Sequence, residues 1–188
     1  LPEAEKRNLE KQMRNLLSEL TGKYSGDGFY GRMVQGDYIE CAMKSPRHAL
    51  RIALLLKTFI KSIPYSIPRK SQAGLKHFRS YGVRLAVAVA PLQTFLPESG
   101  ILDGEAIYLS GRAIKNLSTS DKQKIVIKNT LFFRHPDPLI QEQFDSICSL
   151  LDVILAKCSA KQSEVLFFKL QKMSEKEISV KTGKRQST

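Results

Sequence analysis

The sequence predicts an α+β fold with a C-terminal helical unit, and three observations carry that prediction. Apolar residues recur at helical spacing in long stretches, while short stretches alternate or run continuously apolar, so both element types are present. The elements fall in the order helix, strand pair, helix, strand, helix, strand, then helices. That is the βαββαβ scheme of a ferredoxin-like sheet without its first strand. The end of the chain carries two capping boxes in succession and then a Gly turn. A chain of 188 residues suits one medium domain with a small appendage. The expected division is a sheet domain over residues 1–135, a connecting helix over 136–158, and a truncated helix-turn-helix over 159–188.

Leu9, Met13, Leu16, Leu17 and Leu20 form one stripe between charged residues, an amphipathic helix from about Pro2 to Leu20 that Gly22 ends. Phe29 to Val34 and Tyr38 to Met43, separated by Gln35-Gly36-Asp37, read as a hairpin. Ser45-Pro46 caps a helix through Ala49, Ile52, Ala53, Leu56, Phe59 and Ile60. That helix is apolar on nearly every side, so it should lie against a sheet. Pro64 to Ser80 is a loop by composition. Val83 to Val89 is a strand of Val, Leu and Ala suited to a central position in a sheet. Pro91 to Asp103 reads as a connector, and Gly104-Glu105 opens a helix through Leu117. Lys124 to Thr130 alternates as a half-exposed or edge strand would, and Leu139 to Lys157 is a helix with Phe144, Ile147, Leu151 and Ile154 on one stripe.

Ser159 with Gln162 and Ser174 with Glu177 have capping-box spacing, each opening a short helix. Ala160, Val165, Leu166, Phe168 and Met173 offer an apolar face, against which Ile178 of the next helix would pack through Leu166. Thr182-Gly183 supplies the turn, and Lys184-Arg185-Gln186-Ser187-Thr188 would open a recognition helix. The expected DNA contacts are Lys181, Lys184, Arg185, Gln186 and Ser187. From Ala156 onward eight Lys/Arg stand against three Glu, which suits phosphate contacts. The competing reading of this tail is a solvated, frayed terminal helix.

The formal net charge is +12, and between Cys41 and Pro97 ten Lys/Arg occur with no acid. They include Lys57, Lys61, Arg69, Lys70, Lys76, Arg79 and Arg84. Such a field attracts nucleic acid, nucleotide phosphates or another acidic partner. Cys41, Cys148 and Cys158 have no metal spacing and read as core thiols of a cytoplasmic protein. No run approaches the ~20 apolar residues of a membrane span. The chain starts at Leu1 rather than Met, and an N-terminal segment is expected beyond it.

Two motifs carry a family resemblance. Gly26-Asp27-Gly28-Phe29-Tyr30, entering the hairpin, resembles the Gly-Asp hairpin of class III nucleotide cyclases. Gly104-Glu105-Ala106-Ile107-Tyr108-Leu109-Ser110-Gly111-Arg112 resembles their Gly-Asp-Ala-Val-Asn-Leu-Ala-Ala-Arg helix. With the C-terminal helix-turn-helix, the chain from about Gly26 onward is similar to the SatD family, small bacterial proteins. The resemblance implies a nucleotide-cyclase-like domain over residues 1–135. It also implies that Asp27 matches the family's second metal-binding aspartate and Arg112 its phosphate-stabilising arginine. The first metal aspartate belongs to the absent first strand, and Tyr108 stands in the asparagine's place. One Asp cannot hold two metals beside a triphosphate, so Mg²⁺ is expected only if that strand supplies a second carboxylate.

By residue chemistry alone, Asp27 between two glycines is a turn residue and Arg112 a surface cation. His48, His77 and His135 show no partner spacing, and no catalytic set is apparent. The reading is a bacterial DNA-binding regulator, acting as a homodimer, whose cyclase-like domain senses a nucleotide or serves dimerisation. The alternative is a divergent nucleotide cyclase or nucleotide-processing enzyme, and a third is a protein-interaction module using the basic face.

Overall fold

The computed structural model describes residues 3–35, 38–64, 82–116 and 129–183, and the fold is α+β. Helix α1 (Glu3–Lys23) continues through Gly22 to Lys23. It buries Met13, Leu16, Leu17 and Leu20, the stripe its periodicity marks. Strands β1 (Tyr30–Gln35) and β2 (Tyr38–Ala42) form the expected antiparallel hairpin, with Tyr30 opposite Ala42. α1 lies across β1, and Gly31 makes that approach possible. A Cβ there would come within 2.9 Å of Leu17 Cδ2. Ser45 accepts a hydrogen bond from the Arg47 amide, and a 3₁₀ turn over Pro46–His48 leads into α2 (Ala49–Ser62).

α2 touches two cores, which is why it is apolar nearly all round. Ile52, Leu55, Leu56 and Ile60 join α1, Tyr24 and Phe29 in one cluster. Ala53 joins Leu131, Phe133 and Cys148 in another. Strand β3 (Leu85–Ala88) pairs in parallel with β6 (Leu131–Arg134), Leu85 opposite Leu131. Parallel neighbours need a crossover. Here it contains a short hairpin, β4 (Thr94–Leu96) with β5 (Ile101–Asp103), and helix α3 (Glu105–Asn116) packed on β3. The C-terminal helices are α4 (Pro138–Lys157), capped by Asp137, then α5 (Ala160–Leu170) and α6 (Glu175–Thr182).

The expected connector and the expected last strand are corrected, and the surroundings of β3, α4 and α5 are specified. The segment Pro91 to Asp103 holds the β4–β5 hairpin, whose three-residue strands are too short to show a period. β3 has one strand neighbour among the described residues, β6. The last strand is Leu131–Arg134, buried at its first three positions, whereas Asn129 and Thr130 only lead into it and 124–128 lie outside the described residues. A run of Leu131-Phe132-Phe133 suits a strand covered on both faces better than alternation does. α4 turns Cys148, Asp152 and Leu155 inward, so Phe144, Ile147 and Ile154 are exposed and Leu151 is half-buried. On α5 the buried residues are Ser163 and Phe167, while Val165, Leu166 and Phe168 are half-buried. Phe167 lies 5.3 Å from the Phe59 ring of α2 and joins the α1–α2 core.

Two members of the acid-free basic stretch are also interior. Lys57 is only 1% exposed and its ammonium reaches Val83 O at 3.1 Å, Thr130 Oγ1 at 2.6 Å and Asp152 Oδ1 at 3.1 Å. Burial pushes its pKa below the usual lysine value, and Asp152 pulls it back up. Lys61 donates to the Leu155 and Ala156 carbonyls at the C-terminal end of α4, where a cation complements the helix dipole. Neither is free to attract an anionic partner. Arg84 is exposed, and Arg69, Lys70, Lys76 and Arg79 lie outside the described residues, as does 65–80 of the expected loop.

Candidate functional site

Asp27 ends a 3₁₀ turn over Ser25–Asp27, immediately before the hairpin. Its backbone carbonyl accepts from the amides of Lys44 at 3.0 Å and Ser45 at 3.2 Å, which ties the start of the hairpin to its exit. Its carboxylate accepts from His48 Nδ1 at 2.7 Å, and the His48 ring lies 5.2 Å from that of Tyr24. His48 therefore has the partner that its sequence spacing did not disclose. His135 also has contacts: its Nδ1 accepts from the Asp137 amide at 2.9 Å, and its ring stacks on Phe133. His77 lies outside the described residues.

Arg112 is exposed on α3, its guanidinium 4.0 Å from the centre of the Tyr108 ring. The two residues sit one helical turn apart, which allows this stacking. No hydrogen bond or ion pair joins Arg112 to Asp27 among the described residues. The donors around Asp27 do not suit the metals that the resemblance implies. Among the described residues its carboxylate pairs with an imidazole, that of His48. Among the described residues no group of three or more His, Cys, Asp or Glu side chains could hold an ion.

Between the hairpin and β3 lies a cleft of about 200 Å³, floored by α2 and bounded on one side by the start of α3. Cys41 and Met43 line one wall, Ala86 and Ala88 the other, with Ile52 and Leu56 beneath. Burial in this apolar setting, together with the charge of Glu40, pushes the Cys41 thiol up to about 12, so it stays protonated and inert at neutral pH. Burial raises Cys148 similarly, to about 11. All three cysteines are free thiols.

At the C-terminal unit both capping boxes form. Ser159 Oγ accepts from the Gln162 amide at 3.2 Å and the Gln162 side chain accepts from the Ser159 amide at 2.8 Å. Ser174 Oγ accepts from the Glu177 amide at 3.3 Å, and Glu177 Oε2 accepts from the Ser174 amide at 2.7 Å. The hydrogen bonds from Ser174 hold the Glu177 carboxyl below its ordinary range. The two helices touch, and Ile178 is the buried residue of α6. α6 runs through Thr182 and stops at Gly183, whose φ of 64° favours glycine. Lys181 is exposed with its ammonium 5.0 Å from the centre of the Phe168 ring, while Lys184, Arg185, Gln186 and Ser187 lie outside the described residues.

Among the described residues no helix is long and apolar enough to cross a membrane. Comparison with family models, curated proteins and solved structures finds no match.

Proposed function

We propose that this chain is a DNA-binding regulator of the SatD type, its cyclase-like domain serving to sense a ligand or to assemble the protein rather than to catalyse. The observation that carries the reading is the pair α5–α6. Two short helices in contact, each opened by a full capping box, end at a left-handed Gly183 directly before Lys184-Arg185. A basic segment after such a turn is where a recognition helix would begin. The test is binding of duplex DNA by the full-length protein over a range of salt. Replacing Lys184 and Arg185 by Ala should weaken binding and flatten the log–log salt slope by about two units, since each phosphate contact contributes roughly 0.9. Unchanged affinity and slope would remove both residues from the interface.

The same proposal extends to the finer fold, a ferredoxin-like sheet in which one more strand lies between β2 and β3. The cleft supports it, because it separates two two-stranded sheets that share α2 beneath them. For the domain's activity, Asp27 held by His48 and Arg112 stacked on Tyr108 favour the non-catalytic reading over a divergent cyclase. Full-length protein given ATP or GTP with Mg²⁺ or Mn²⁺ should yield no cyclic nucleotide. Cyclic product that disappears in Asp27→Ala would replace the regulator with the enzyme reading.

A further inference from the structure

Helix α4 turns toward solvent a face that no other described element covers. Ile140, Ile147 and Ile154 recur every seven residues, and Gln143, Leu150 and Lys157 each follow three residues later. This is the alternating three–four spacing of a coiled-coil seam, with Ile at the first position and Leu at the central second one. The inward side of the helix belongs to Cys148, Asp152 and Leu155, so the seam is not the side that anchors α4 to the domain. Leu139, Ile140, Ile147, Leu150, Val153 and Ile154 are between 37% and 71% exposed.

We propose that this face is the seat of a second copy of the chain, the two α4 helices packing seam to seam about a twofold axis. Three observations favour a copy over another partner. Three Ile at the first seam positions, with Leu150 at the central second one, suit burial between two like helices, and a twofold interface needs a self-complementary surface. The chain carries +12 overall, so copies repel over most approaches, yet α4 is close to neutral: Asp152 is buried against Lys57 and Asp145 pairs with Arg134, which leaves Glu142 to balance Lys157. Complete burial of these exposed side chains would remove on the order of 600 Å² per copy, or roughly 1,200 Å² when doubled, the lower edge of the range of specific interfaces. A membrane surface is disfavoured because a helix lying on anionic lipid is rich in Lys and Arg on its polar face, and Lys157 is the one such residue in 138–157.

The test is sedimentation equilibrium of the purified chain, with Ile147→Lys and Leu150→Glu as separate variants. Both positions are exposed in the single chain, so each variant should keep its circular dichroism and cooperative melting. The parent chain should be a dimer, and each variant should raise the dissociation constant at least ~100-fold, as a charge buried in a seam does. Gln143→Leu, which removes the polar seam residue, should tighten the dimer about tenfold. A parent chain monomeric at about 100 µM, or variants that dimerise as well as the parent, would overturn the proposal. Monomers that bind vesicles through Ile147 and Leu150 would do the same.

Discussion

Replacing Asp152 by Ala should destabilise the protein by about 3–5 kcal/mol, the cost of breaking a buried ion pair from one side. The carboxylate is 3% exposed and faces four donors. It accepts from the Thr130 amide, from Thr130 Oγ1 at 2.8 Å and from the Leu131 amide at 3.1 Å, and it lies 3.1 Å from the Lys57 ammonium. Removing it leaves a buried cation without its counter-ion and takes the side-chain acceptor from two buried amides where β6 begins. Lys57→Met should cost less, because Asp152 would keep its three hydrogen bonds and the thioether fills most of the lysine's volume. Urea denaturation of both variants checks the order. An effect of Asp152→Ala no larger than that of Lys57→Met would show that the hydrogen bonds at the start of β6 add nothing to the pair. Since whole domains are stable by only about 5–15 kcal/mol, Asp152→Ala should also lower the yield of folded protein.

None of this network is visible in the sequence, where Lys57 counts as one more charge in an acid-free basic stretch. Its partner lies 95 positions away, and no local pattern distinguishes a lysine that enters the core from one that avoids it. Local signals suffice for the stripe of α1, the β1–β2 hairpin, and the caps at Ser45, Ser159 and Ser174. Each of these depends on residues within a turn or two of one another. α4 shows the opposite case. It is apolar on most of its circumference, so periodicity establishes that a helix exists but not which side the domain covers. The side with the coiled-coil spacing proved to be the exposed one. The Asp27–His48 pair is intermediate. The turn was evident from Gly26 and Gly28, but the histidine meets it only because the hairpin brings Lys44 and Ser45 back to the Asp27 carbonyl.

The strand proposed between β2 and β3 should be detectable by amide exchange at two residues. Leu85 and Val89 donate to Thr130 and Arg134 of β6, so alternation along the strand turns Ala86 and Ala88 N–H away from β6, toward the cleft. In residues 1–188 alone these two amides should exchange at least ~100-fold faster than Val87, whose N–H faces β6, because groups with no strand partner open without unfolding anything. In the full-length protein a strand seated against β3 would bond both, and their protection should rise to that of Val87. The strand should carry small or β-branched apolar residues on the face above α2, since Ile52 and Leu56 form the floor and the wall residues Ala86 and Ala88 add little bulk. Filling the cleft would join the two two-stranded sheets into one and remove two open edges, which are otherwise sites for unwanted pairing. Equal, fast exchange at Ala86 and Ala88 in both forms of the protein would leave the cleft an open groove and end the ferredoxin-like reading. Slow exchange at both amides already in residues 1–188 would mean that the β3 edge is paired within this chain, and the reading would fail for that reason instead.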